Sequence, residues 1–177
     1  MFIYTGRFQP FHNGHLSIVI RLHELYPDET ICIAVIKNYA FCKEKTDFDR
    51  RVDLELSKDD KRFNAEKTLS VITKIIKNRN LENVVTTLMP RASIESWPTI
   101  DCLFDCKRTW VFTENLNAPD DWEKIKMNFY QSMGEKIILI PIEKSINGSD
   151  IRQHLQMADY SSLSKLIPEE AVQLYGF

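Results

Sequence analysis

The stretch FIYTGRFQPFHNGHLSIVI, residues 2–20, decides how the fold is read. FIYT at 2–5 is a short apolar run suited to a buried strand, and Gly6 stops it. From Asn13 onward, Leu16, Val19, Ile20 and His23 recur at helical spacing, and Ile18, Leu22 and Leu25 widen the apolar face. Asn13 is the expected N-cap. Between strand and helix lies GRFQPFHNGH, which holds two of the chain's 5 glycines and two of its 4 histidines.

Working outward, Tyr26-Pro27-Asp28 ends the helix, and TICIAVIK at 30–37 is a continuous apolar run suited to a central parallel strand. The segment 38–51, NYAFCKEKTDFDRR, is polar and basic without periodicity, and a short helix is expected at 51–56. Phe63, Leu69, Ile72, Ile75 and Ile76 mark a longer helix. VVTTLM at 84–89, TWVFT at 109–113 and KIILIPI at 136–142 read as three more strands, with helical segments between them and a C-terminus that reads as helical from Asp150. Strands alternating with helices predict one domain over residues 1–177: a Rossmann-like open parallel sheet of five strands with helices on both faces.

Composition narrows the class. With 177 residues, 44% hydrophobic and 27% charged, the chain is long enough for one sizeable core. A net charge of −2 gives no general attraction to nucleic acid or to a membrane surface, so neither is expected as a partner. The first residues lack the basic and apolar pattern of a signal peptide, and IILIPI at 137–142 is far too short to span a bilayer. Cys32, Cys42, Cys102 and Cys106 form no CxxC pair, which suits a reduced cytoplasm, the expected location. Cys102 and Cys106 can share a helix face, but zinc would need two more ligands at sensible spacing, and they read as buried or bland thiols.

In a doubly wound sheet, ligands sit beyond the carboxyl ends of the strands near a switch point in strand order. GRFQPFHNGH occupies that place and runs into a helix N-terminus, where backbone N–H groups and the dipole favour anions. Gly6 and Gly14 allow close backbone approach, Pro10 stiffens the turn, and Arg7 adds a permanent planar charge suited to phosphate. His12 and His15 lie three apart, so the turn can aim both rings at one point. An HxxH pair can also hold a metal, but no third ligand follows nearby, and no metal site is expected. The loop lacks both GxxxxGK[ST] and GxGxxG. His23 and His154 read as structural.

GRFQPFHNGH resembles the signature of the HxGH nucleotidylyltransferase superfamily, and in its GRFQPxHxGH form it is similar to the archaeal-type nicotinamide mononucleotide adenylyltransferases. The superfamily carries an S-x-[ST]-x-x-R loop near the C-terminus, and KSINGSDIRQHL at 144–155 places Gly148, Ser149, Ile151 and Arg152 in matching positions. Asn147 replaces the usual first serine. The resemblance implies nucleotide binding by Gly6, Phe8, Gly14, Gly148, Ser149, Ile151 and Asn115, the last from TEN at 113–115. It implies acceptor binding by Arg51 and Lys45 of the basic loop, by Arg91, and by Trp97 in MPRASIESW. Trp97 either stacks on the acceptor's nicotinamide ring or packs in the core. Ala92 stands where relatives often carry an Asp that helps recognise that nucleotide, which leaves the acceptor open.

The implied reaction is transfer of AMP from ATP to nicotinamide mononucleotide, giving NAD and pyrophosphate. An acceptor phosphate is already ionised at neutral pH, so the site must align the reactants and neutralise spreading charge rather than supply a strong base. That suits the expected catalytic set, His12, His15, Arg7 and Arg152, with magnesium arriving on ATP. The rival readings are a cytidylyltransferase, an adenylyltransferase for another phosphorylated acceptor, and a nucleotide-binding regulator without turnover. Relatives of this kind often form homo-oligomers.

Overall fold

A computed structural model of the chain describes residues 1–37, 48, 50, 63–115, 121–142, 146 and 148–175. Five parallel strands, β1 (Phe2–Gly6), β2 (Ile31–Lys37), β3 (Val84–Pro90), β4 (Thr109–Asn115) and β5 (Ile137–Ile142), are ordered β3-β2-β1-β4-β5. The order reverses at β1, which pairs with β2 on one side and β4 on the other, and this switch point is where the expected ligand loop begins.

Strand side chains alternate between two apolar layers because successive residues point to opposite faces. On β2, Ile31, Ile33 and Val35 enter one layer while Cys32 and Ala34 enter the other. Helices α1 (Asn13–Leu25) and α2 (Ala65–Asn78) cover the first face. So do the C-terminal α5 (Gly148–Gln156), α6 (Tyr160–Leu166) and α7 (Glu169–Tyr175). Helices α3 (Trp97–Leu103) and α4 (Asp121–Ser132) cover the second. The expected open five-stranded α/β sheet with helices on both faces is what the chain forms. Among the described residues no helix is long and apolar enough to cross a membrane.

Three details depart from the sequence reading. The N-cap of α1 is His12, not Asn13, whose Nδ2 instead donates to the Lys165 carbonyl at 3.0 Å. Leu25, expected on the apolar face, is 54% exposed because α1 ends at the turn below it. The C-terminal helical stretch is three short helices, broken where Ala158 takes a positive φ of 53° and again at Ile167-Pro168. The short helix expected at 51–56 lies outside the described residues, as does Cys42.

His23, His154 and Cys32 have structural surroundings, whereas Cys102 and Cys106 are exposed. His23 Nδ1 meets Asn83 Oδ1, and the Asn83 amide donates to the Tyr26 and Glu29 carbonyls, tying α1 to β3. His154 pairs with Asp159, the N-cap of α6. Cys32 is buried, and burial pushes its thiol up to about 12, which keeps it protonated at neutral pH.

Candidate active site

At the switch point the β1–α1 loop opens onto a cleft of about 450 Å³ over the carboxyl edge of the sheet. Arg7, Phe8, Gln9, His12, Gly14 and His15 line one side, and Gly148, Ser149 and Arg152 at the start of α5 complete it. Two loops more than a hundred residues apart in sequence therefore share one wall. Arg152 joins them directly: its Nη1 donates to the Gln9 carbonyl at 2.8 Å. Gly148 sits so close beneath that contact that a Cβ would come within 3.2 Å of Arg152 Nη1.

The two imidazoles are built into the helix start. His15 N donates to His12 Nδ1 at 3.4 Å, and His12 N donates to His15 Nδ1 at 3.3 Å, a reciprocal capping box made entirely of histidine. Because each Nδ1 accepts a backbone N–H, the proton of the neutral ring sits on Nε2. The cap thus sets the tautomer and gives both residues an N–H donor on the ring edge opposite the helix. The rings stack with centroids 3.6 Å apart, Phe11 lies parallel to His15 at 5.6 Å, and Phe8 meets His15 edge-on at 5.0 Å. His12 is only 6% exposed, so its orientation is dictated by packing. Gly14 makes this possible, since a Cβ there would meet His12 Cε1 and Nδ1 at 3.0 Å.

The C-terminal helices brace the loop from behind. Phe11 N donates to the Tyr175 hydroxyl at 3.5 Å, and the Tyr175 ring meets Phe63 edge-on at 4.9 Å. Gln9 Nε2 donates to the Phe63 carbonyl at 2.8 Å. Loop, α2 and α7 therefore form one packed unit.

Of the residues singled out from sequence, Gly6, Arg7, Phe8, His12, Gly14, His15, Arg91, Gly148, Ser149 and Arg152 line this cleft. Ile151 does not; it is fully buried and anchors α5 in the first core layer. Asn115 ends β4 beside Ile142 and is not among the lining residues. Lys45, Arg51 and Asn147 lie outside the described residues.

Trp97 takes the core position of its two readings: it is 4% exposed, edge-on to Tyr130 at 5.2 Å and to Phe129 at 5.7 Å, with Trp110 at 6.2 Å. It does not line the cleft: it opens α3, whose first turn Pro98 suits, and packs in the second core layer. Trp97→Ala is accordingly expected to cost about 3–5 kcal/mol of stability, as for other buried aromatic truncations. Thermal unfolding would show the loss, and acceptor KM of the folded protein should stay near wild type.

Sequence reasoning missed the opposite wall. Phe48, Phe112, Trp122, Glu123, Lys126 and Tyr130 line the cleft from the second face of the sheet. The available signal was the position of DWEKIK at the start of a helix following the fourth strand, where Glu123 and Lys126 share a helix face at i,i+3.

Comparison with known proteins agrees with this architecture. The Cytidylyltransferase-like family model matches residues 3–154. Among solved structures, a candidate nicotinate-nucleotide adenylyltransferase from Vibrio parahaemolyticus is 16% identical with a TM-score of 0.58, covering 99% of this chain and 97% of its own. A bifunctional NMN adenylyltransferase/ADP ribose pyrophosphatase from Francisella tularensis, complexed with AMP and a manganese ion, is 16% identical with a TM-score of 0.56; the match covers 99% of this chain and 50% of that one. Thermotoga maritima TmcAL, bound with alpha-thio ATP, is 12% identical with a TM-score of 0.55, covering 98% and 54%. At these identities the likeness speaks for the fold, and the present chain spans about half the length of the last two. No curated protein matches the chain at a significant level. The family match spans both motif loops and the sheet between them, and the chain belongs to the cytidylyltransferase-like family of nucleotidyltransferases.

Proposed function

We propose that the protein transfers AMP from ATP to nicotinamide mononucleotide, releasing pyrophosphate and forming NAD. The observation that carries this reading is the reciprocal histidine cap, which turns two N–H donors away from the helix in a cleft also lined by Arg7 and Arg152. The motif's resemblance to the nicotinamide mononucleotide adenylyltransferases supports the choice of ATP and of this acceptor.

In the proposed reaction an oxygen of the acceptor phosphate attacks the α-phosphorus, and the bond from that phosphorus to the β-bridging oxygen breaks. The electron pair leaves with pyrophosphate, and no proton need be removed from the nucleophile. His12 and His15 donate from Nε2 to the α-phosphate oxygens as their charge grows. Arg7 and Arg152 hold the phosphates, Arg152 being steadied by the Gln9 carbonyl. Ser149 and the backbone N–H groups that open α5 support the departing pyrophosphate. Gly6, Phe8 and Gly14 shape the nucleotide side, and Arg91 meets the acceptor. Arg51 and Lys45 keep the acceptor role that the resemblance implies.

Magnesium is proposed to enter on ATP and to neutralise charge on the polyphosphate. Among the described residues no three His, Cys, Asp or Glu side chains converge, and the motif wall offers imidazole, guanidinium and N–H donors, a set that fits phosphate oxygen rather than a cation.

The test is pyrophosphate release from Mg-ATP and Mg-CTP, each with nicotinamide mononucleotide and with other phosphorylated acceptors. Release confined to ATP with nicotinamide mononucleotide is expected. Release only with CTP or only with another acceptor would replace the substrate, and nucleotide binding without release for any pair would make the protein a binding regulator.

A further inference from the structure

The cleft straddles the sheet. Its motif wall belongs to the first face, with α1 and α5, whereas Phe48, Phe112, Trp122, Glu123 and Lys126 belong to the second. The second wall is chemically unlike the first. Phe48 lies parallel to Phe129 at 4.1 Å and to Trp122 at 5.7 Å, an aromatic cluster that borders the cleft. Lys126 is held over the Trp122 ring at 5.6 Å and the Phe112 ring at 5.8 Å, and its ammonium pairs with Glu123. Both ends of this pair are largely shielded, with side-chain exposures of 22% and 24%. Among the described lining residues Glu123 is the one carboxylate, in a cleft that also carries Arg7, Arg91, Lys126 and Arg152.

Glu123 brings that one carboxylate into a cleft otherwise rich in cations, and Lys126 balances its charge. Glu123 borders the cleft floor: burial, reinforced by Glu123, raises the Tyr4 hydroxyl above its ordinary range, while at Tyr130 burial acts first, then Glu135, with Glu123 adding to them. Together Glu123 and Lys126 present one acceptor and one donor side by side with no net charge. A carboxamide presents the complement, its oxygen accepting from Lys126 and its NH₂ donating to Glu123. A carboxylate in the same place would meet Lys126 favourably but would be repelled by Glu123 at similar range.

We propose that Glu123 and Lys126 act as a matched acceptor–donor pair that selects an acceptor ring bearing a neutral carboxamide over the same ring bearing a carboxylate, with the ring lying on the Trp122–Phe48 wall. This rests on the adenylyl-transfer reading and sharpens its acceptor.

The experiment measures kcat/KM for nicotinamide mononucleotide and nicotinate mononucleotide at saturating Mg-ATP, in wild type, Glu123→Gln and Lys126→Met. Wild type is expected to prefer the amide at least about tenfold. Glu123→Gln should shrink that preference about tenfold, through a lower KM for the acid with kcat for the amide little changed. Lys126→Met should weaken both acceptors and widen the preference, because the remaining carboxylate acts alone. Equal use of both acceptors by wild type, or a preference unmoved in Glu123→Gln, would overturn the pair's role while leaving adenylyl transfer intact. Absence of pyrophosphate release from wild type with every acceptor would instead overturn the underlying reading. Should a variant fail to fold, calorimetric affinities of the two mononucleotides for wild type decide the matter, equal affinity counting against the pair.

Discussion

His15→Ala is expected to lower kcat for pyrophosphate release by about two to three orders of magnitude while ATP affinity changes little. The reason lies in what the ring does before and during reaction. Nδ1 is committed to the helix cap, so the proton on Nε2 is the one offered to the cleft. Phe8, Phe11 and His12 pack around the ring, and it has no need to reorganise as charge builds. A donor of this kind is worth most where charge grows, in the transition state, and less in the ground state. Losing the cap to His12 N should cost only about 1 kcal/mol of stability. The diagnostic pattern is therefore a collapsed kcat with near-normal unfolding temperature and near-normal calorimetric ATP binding. Turnover equal to wild type would remove His15 from the mechanism.

The fold was legible because its signals are local. The run ICIAVIK, buried on both faces, could only be a central strand, and the spacing of Ile72, Ile75 and Ile76 could only serve a helix with one apolar face. The first motif was legible for the same reason: its residues are contiguous, and the topology puts that loop at the switch point. The N-cap was misplaced because histidine is an uncommon cap, and the signal that favours it here is a second histidine three residues on, closing the box. Trp97 could not be assigned from sequence, since whether an indole faces a cleft or a core depends on how α3 lies against β4 and α4. Glu123, Lys126 and Trp122 were passed over for a related reason. The i,i+3 spacing in DWEKIK marks a shared helix face, but that face becomes a cleft wall only once β4 is seated beside β1 and carries α4 to the far side of the motif loop.

That arrangement makes the motif helix both scaffold and reagent, and Gly14 is where the two demands conflict. Position 14 is in the first turn of α1, where alanine would ordinarily favour the helix over glycine by up to about 1 kcal/mol. Here the added methyl would stand 3.0 Å from His12 Cε1 and Nδ1, tighter than van der Waals contact allows, so the imidazole must give way. His12 has little room to do so, being buried and stacked on His15 at 3.6 Å. A shift of its ring disturbs the bond from His15 N and displaces the second ring along with the first. Gly14→Ala is thus expected to leave thermal stability near wild type while kcat falls about a hundredfold, the scale on which small misplacements of reacting groups are felt. Circular dichroism melts and pyrophosphate release on the same preparation read both quantities. A parallel loss of stability and activity would mean that the residue serves folding alone. Full activity would mean that the His12 ring tolerates displacement and takes no exact position at the phosphate.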